Sequence, residues 1–283
     1  MNLITLYLIQ LLIGLITFKD YGVHIEEKFH RSNGLYWLNY LLNFTEFETL
    51  KNISLQKLES IGLEDYSLSS VIHYNKYGVI FDLPVAFIEI IFNIENTQDF
   101  YHLKHFLSFF LFFFSSIVFY KIINNRYRSF NISLIGTLLY VLSPRIYGDS
   151  FFYKDILFLS LVTFSIYYVF LCLDKFSYKN LAIFSVLSAI CISTRIIGIF
   201  LPVSFLIVII LSQGIRKEGK NFYIKCLFYI SSLIFILILH WPYLWSSPID
   251  NFISLFSQLK NDIVDFKILF NGDFVNNRNL PYK

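Results

Sequence analysis

Runs of Phe, Leu, Ile and Tyr, longer than a soluble core uses and separated by short charged patches, govern what this chain can fold into. Apolar stretches approaching ~20 residues read as membrane spans. Seven candidates lie at 3–18, 105–120, 130–146, 156–173, 180–193, 199–212 and 222–240. Composition agrees, with 56% hydrophobic and 15% charged residues, against roughly 45–50% and 25% in soluble domains. Soluble enzymes, secreted disulfide scaffolds and disordered chains are thereby excluded. Cys172, Cys191 and Cys226 sit in or beside apolar runs without CxxC spacing, so they read as small packing residues. The expected fold class is all-α, a polytopic membrane helix bundle of about seven spans. Its first run lacks a basic leader and a small-residue cleavage site, so it reads as a retained helix.

Loop charge orients the bundle. Loops 121–129, 174–179 and 213–225 carry Lys121, Arg126, Arg128, Lys175, Lys179, Arg216, Lys217, Lys220 and Lys225 against only Asp174 and Glu218. Basic loops stay in the cytoplasm. The other 18 of 20 acids therefore fall on the opposite face or its approaches, in a long 19–104 loop, a short 147–155 loop and the tail from 241. Chemistry is expected on that outer face. The expected location is a multi-pass protein of a bacterial inner membrane with its active face outward. Within the long loop, 33–44 and 79–94 are apolar but short; Tyr36, Trp37, Tyr40 and the isolated Asp82 and Glu89 fit helices lying in the interface. A span at 79–94 would invert everything after it, against the loop charges. Residues 1–245 form the expected membrane domain, and 246–283 an outer-face loop that reads as cut short of further spans. A net charge of +3 gives no reason to expect a nucleic-acid partner.

Four clusters could carry chemistry. Glu26 and Glu27 follow the first run within Asp20-Tyr-Gly-Val-His-Ile-Glu-Glu-Lys. Partial desolvation beside a membrane makes such carboxylates useful as a base and an anchor. The competing reading is local, with Glu27–Arg31 and Glu26–His30 as i, i+4 pairs on one helix. Arg145, Asp149, Lys154 and Asp155 are pinned between two runs, a costly placement without a role or a partner. Arg145 and Lys154 suit a phosphate; Asp149 or Asp155 suits an acceptor or a cation. The alternative is a mutual ion-pair network. Arg195 at a short outer turn runs against the positive-inside trend, which points to an anion or to lipid headgroups. His240 and Tyr243 close the last run inside His-Trp-Pro-Tyr-Leu-Trp, an interfacial belt with one titratable ring. No P-loop, GxGxxG or HExxH motif occurs, so neither nucleotide nor metal is indicated. His102 and His105 read as helix-cap residues.

These ordered blocks resemble the GT-C superfamily of integral-membrane glycosyltransferases, in its protein O-mannosyltransferase and aminoarabinose-transferase branch. Its Asp-Tyr-Gly-Ile-Ser-x-Asp-Glu-Pro segment is similar to Asp20–Lys28, with the acidic pair on Glu26 and Glu27. Its Ser-Pro-Arg-Ile-Phe-Gly-x-Ser-Phe-Tyr-Asn-Pro-Lys-Asp segment is similar to Ser143–Asp155, one residue shorter here. Ser193–Gly198 resembles its Ser-Thr-Arg-Ile-x-Gly turn, and 241–245 its Trp-Pro-Tyr-Leu-Trp. Glu26 stands where the family has Asp, and Lys28 where it has Pro. The resemblance implies inverting transfer of a sugar from a polyprenyl phosphate to an acceptor hydroxyl. Glu26 would be the general base with Glu27 beside it, and Arg145, Lys154 and Arg195 would hold the donor phosphate. Asp149, Asp155, His240 and Tyr243 would position donor or acceptor. It implies no resident cofactor, and leaves open a divalent metal and whether the acceptor is protein, lipid or glycan. The alternatives are a transporter or flippase of a lipid-linked anion and a non-catalytic fragment.

Overall fold

The computed structural model describes residues 2–24, 26–61, 77–216, 220–261, 267–276 and 279–280. Lys217 and Glu218 of the third basic loop lie outside the described residues. Two compact units divide the chain, Met1–Pro242 and Tyr243–Lys283.

The first unit is helical throughout its described residues. Its elements are α1 (Leu3–Thr17), α2 (Glu27–Leu42), α3 (Glu48–Ser60), α4 (Asp82–Ile91), α5 (Thr97–Tyr127), α6 (Phe130–Leu142), α7 (Pro144–Asp149), α8 (Tyr153–Asp174), α9 (Tyr178–Thr194), α10 (Phe200–Arg216) and α11 (Lys220–His240). All seven apolar runs are helical, with Gly14 and Gly136 accommodated inside α1 and α6 and Pro202 in the first turn of α10. Three of them, Thr97–Tyr127, Lys154–Asp174 and Asn221–His240, are long and apolar enough to cross a membrane. The other four are shorter apolar helices. Their ends have local causes: Pro144 begins a new helix immediately after α6, and Arg195 turns extended at φ −147° after α9. Leu139, Leu227 and Phe235 stay exposed on the helix surfaces, which suits a hydrocarbon solvent.

Successive apolar helices alternate in direction. Tyr7 of α1 packs on Phe113 of α5, and Phe18 past the end of α1 packs on Phe106. At one pole Asn124 meets Ser133 and Phe176 meets Phe222, beside the basic loops. At the other pole the ends of α1, α6, α9 and α11 meet the starts of α5 and α8. The α9–α11 core stacks Phe184 on Tyr229 at 5.2 Å with Phe205 edge-on. Polar groups inside these helices bond both across and along them: Ser188 meets the Tyr229 hydroxyl of α11 at 3.0 Å, and Thr137 donates to the Ser133 carbonyl at 2.8 Å. Cys172 and Cys191 are buried and Cys226 is half-buried, none of them in a disulfide.

Helices α2, α3 and α4 form a cap at the second pole. Trp37 and Leu35 are fully buried there. The residues that read as interfacial anchors are thus enclosed by protein, because α2 is covered on both sides by α3 and α4. A side chain at Gly34 would overlap the Asp82 carbonyl, so this close crossing depends on glycine. With 10 residues, α4 is about 15 Å long and too short to span.

The second unit holds α12 (Pro248–Asn261) and a hairpin of β1 (Lys267–Phe270) with β2 (Asp273–Asn276). Within the 246–283 segment, which the sequence reads as a loop, residues 248–261, 267–270 and 273–276 are thus helix and strand. Asn271 and Gly272 at φ 51° and 92° supply the two left-handed positions a two-residue hairpin turn requires.

Candidate functional site

A segment leading out of α1 carries the acidic pair to the second pole. Tyr21 stacks on Phe151 at 4.1 Å, and Phe151 stacks on Phe109 of α5 at 5.2 Å. This aromatic pile fixes residues 20–24 against the turn between α7 and α8. Glu26 then stands at the mouth of α2 and Glu27 begins it.

The two carboxylates separate by environment. Glu27 is 2% exposed; its Oε2 accepts the His24 backbone N–H at 2.8 Å and His105 Nε2 at 3.2 Å. The Glu26 side chain is 44% exposed and accepts from Lys154 Nζ at 2.9 Å. Lys154 also donates to the Tyr77 hydroxyl at 3.0 Å. Burial pushes the Glu26 carboxyl up, but the Lys154 bond and charge, helped by His30 and His24, hold it below the ordinary glutamate range.

Around these groups lies a cleft lined by His24, Glu26, Glu27, His30, Phe152, Lys154 and Asp155, with Arg145 and Asp149 at its rim. Six residues expected from the sequence thus share one cleft: Glu26, Glu27, Arg145, Asp149, Lys154 and Asp155. Arg195 joins through an ion pair with Asp155, and Arg145 bonds Asp149 at 2.6 Å. The cleft holds about 50 Å³, below the ~300 Å³ of a small-molecule pocket. Its rim pairs must part before a ligand of sugar size enters.

His240 stands apart from the cleft. Its Nε2 lies 2.7 Å from the Ser193 hydroxyl and its Nδ1 2.6 Å from the Ile236 carbonyl. Ser193 in turn accepts the Gly78 N–H on its carbonyl at 2.7 Å. A side chain at Gly78 would overlap Ser193, so the Tyr77–Gly78 segment reaches the cleft only as glycine allows. Tyr243 belongs to the second unit, where its hydroxyl meets Ser254 at 3.0 Å.

The local pairing of Glu26 with His30 and Glu27 with Arg31 does not form. Each takes a distant partner because α4, α5 and α8 bury this end of α2. Arg31 forms a two-point bond to Glu89 of α4, with Nε at 3.2 Å and Nη2 at 2.5 Å from Oε1. His30 Nδ1 bonds Asp82 at 2.8 Å. His105 is no helix cap; it is fully buried against Glu27. Sequence reasoning missed His30, Tyr77, Asp82 and Glu89 as parts of the site. The seven-residue spacing of Asp82 and Glu89 was the available signal, since it places both acids on one face of a helix.

Beside the cleft a second, apolar groove of about 470 Å³ runs between α4, α5 and α8, lined by Phe81, Val85, Leu107, Leu111, Leu157 and Leu161. Leu157 lies one helical turn from Lys154 on α8, so the groove begins just below the cleft's cations. Among the described residues no group of side chains has metal-site geometry.

Fold and site together define a predominantly helical membrane protein with a charged cleft at one pole of its apolar helices. Compared with known proteins, the chain matches no family model, no curated protein and no solved structure.

Proposed function

We propose that this chain is a membrane glycosyltransferase that moves a sugar from a polyprenyl phosphate to an acceptor hydroxyl on the outer face, with inversion. The observation that carries the reading is the adjacency of the charged cleft to the apolar groove. An amphiphile with an anionic head and a hydrocarbon tail fits that pair of surfaces, with its phosphate at Lys154, Arg195 and Arg145 and its chain along Leu157 and Leu161. All seven apolar helices cross the membrane in this reading, the shorter four aided by flanking residues or by local thinning of the bilayer.

Chemistry follows from the separation of the carboxylates. Glu26, exposed in the cleft, takes the acceptor proton while the hydroxyl oxygen attacks the anomeric carbon. The carbon–oxygen bond to phosphate breaks and its electron pair leaves on the phosphate, which the cations stabilise without protonation. Glu27, bound by His24 and His105, holds the mouth of α2 in place. The arriving phosphate competes with Glu26 for Lys154, which frees the carboxylate at the moment it is needed.

Glu26→Gln tests the assignment. In proteoliposomes supplied with undecaprenyl-phosphoryl mannose, glucose or galactose, the substitution lowers transfer by about 100-fold or more while the protein still inserts. Undiminished turnover in Glu26→Gln removes Glu26 as the base.

A further inference from the structure

Glu26 is poorly suited to keep the proton it takes. Burial raises its affinity for a proton, but Lys154 and the neighbouring histidines more than offset this. One helical turn along α2, His30 lines the same cleft. Its ring is 3% exposed, and its Nδ1 lies 2.8 Å from Oδ2 of Asp82, whose side chain is fully buried. The same oxygen accepts from Asn33 Nδ2 at 2.9 Å. An ionised carboxylate only accepts, so Nδ1 carries the hydrogen and the basic lone pair resides on Nε2. A carboxylate behind a histidine both fixes this tautomer and stabilises the imidazolium.

We infer that His30, backed by Asp82, is the proton acceptor behind Glu26, so that the acceptor proton passes from the hydroxyl to Glu26 and then to His30 Nε2. The inference rests on the glycosyltransferase reading. In the first step the acceptor O–H bond breaks toward Glu26 as its oxygen bonds to the anomeric carbon and the phosphate leaves with the bonding pair. In the second, the Glu26 carboxyl gives its proton to Nε2, which restores the carboxylate and leaves an imidazolium against Asp82. The proton returns to solvent through Glu26.

Several charged and titratable groups surround His30. Glu26 and Glu27 share its helix, Asp82 faces it from α4, and the Tyr77 ring lies 5.7 Å from its own. Lys104 of α5 acts on both Asp82 and Glu27, His105 is taken by Glu27, and Lys154 of α8 is taken by Glu26. Asp82 is thus the one carboxylate bonded to His30 among the described residues.

Two measurements test the relay on the full chain. In the proteoliposome assay, His30→Gln lowers kcat by about 100-fold or more with KM unchanged. It also abolishes the fall in rate on acidification between about pH 5 and 8, where a histidine must stay neutral to accept a proton. The Glu26→Gln/His30→Gln double variant is no slower than Glu26→Gln, as expected of groups acting in series. Independently of turnover, nitrogen NMR of histidine-labelled wild-type chain in nanodiscs shows the Nδ1–H tautomer of His30, and Asp82→Asn shifts it toward Nε2–H. An Nε2–H tautomer in the wild type overturns the inference, whether or not His30→Gln folds. An acid limb and rate that survive His30→Gln overturn the relay and leave the glycosyltransferase reading standing. A wild type that transfers none of the three hexoses removes that reading and the relay with it.

Discussion

Two sets of polar pairs meet at the mouth of α2 and differ in one respect, water. Arg31–Glu89, His30–Asp82 and Glu27–His105 lie inside, with side chains at most 6% exposed. At the rim, Arg145 is 84% exposed beside Asp149, and Arg195 and Asp155 are 36% and 57% exposed. Removing a partner from the inner set strands a charge where nothing else solvates it. Removing one from the rim lets water take its place. The inner pairs therefore fix the cap to α4 and α5, whereas the rim pairs are free to exchange a carboxylate for an arriving anion. Lys154–Glu26 is intermediate, with the lysine 14% and the glutamate 44% exposed, and it is the pair on which the proposed chemistry turns.

Three substitutions would break or sharpen this contrast. Glu89→Gln has the largest expected effect, because it leaves Arg31 and nearby Lys57 without their shared carboxylate. Thermal unfolding in detergent should show a loss of about 3–5 kcal/mol, and a loss under ~1 kcal/mol would show that the inner set is not a scaffold. Lys154→Met comes next and acts on titration. With the lysine gone, burial alone acts on Glu26 together with the histidines, so its carboxyl titrates at higher pH. The stability this carboxylate contributes is present above its unfolded value and is lost as pH falls through its depressed folded value; in Lys154→Met the two values draw together and that contribution shrinks. The carboxylate band assigned by a wild-type minus Glu26→Gln infrared difference measures the change, and a titration unmoved or moved downward contradicts it. Arg145→Ala is the smallest, within about 0.5 kcal/mol of wild type by the same unfolding measurement.

The sequence made the scaffold readable and the partners unreadable. Apolar runs announce helices because an uncharged stretch has one way to satisfy its backbone in a hydrocarbon solvent. The gathering of Glu26, Arg145 and Lys154 near one level followed from where charges interrupt those runs. What remained hidden was that Glu26 would reach Lys154, 128 residues away, and that Arg31 would reach Glu89, 58 residues away. On an isolated helix the i, i+4 partners would win, each contributing a few tenths of a kcal/mol. Burial reverses that order, since a two-point guanidinium–carboxylate bond in a dry site outweighs a solvated neighbour. Gly78 and Tyr77 were hidden for another reason: their place depends on a close approach to α9 that no local pattern encodes.

The length of α5 has a consequence of its own. Its 31 residues run about 46 Å, while the hydrocarbon core of a bilayer is about 30 Å thick. Roughly ten residues must stand clear of it, and the helix's third turn carries Lys104 and His105. In a bilayer of that thickness the helix would act as a gauge rod, so that the height of the cleft above the hydrocarbon would depend on the membrane as much as on the protein.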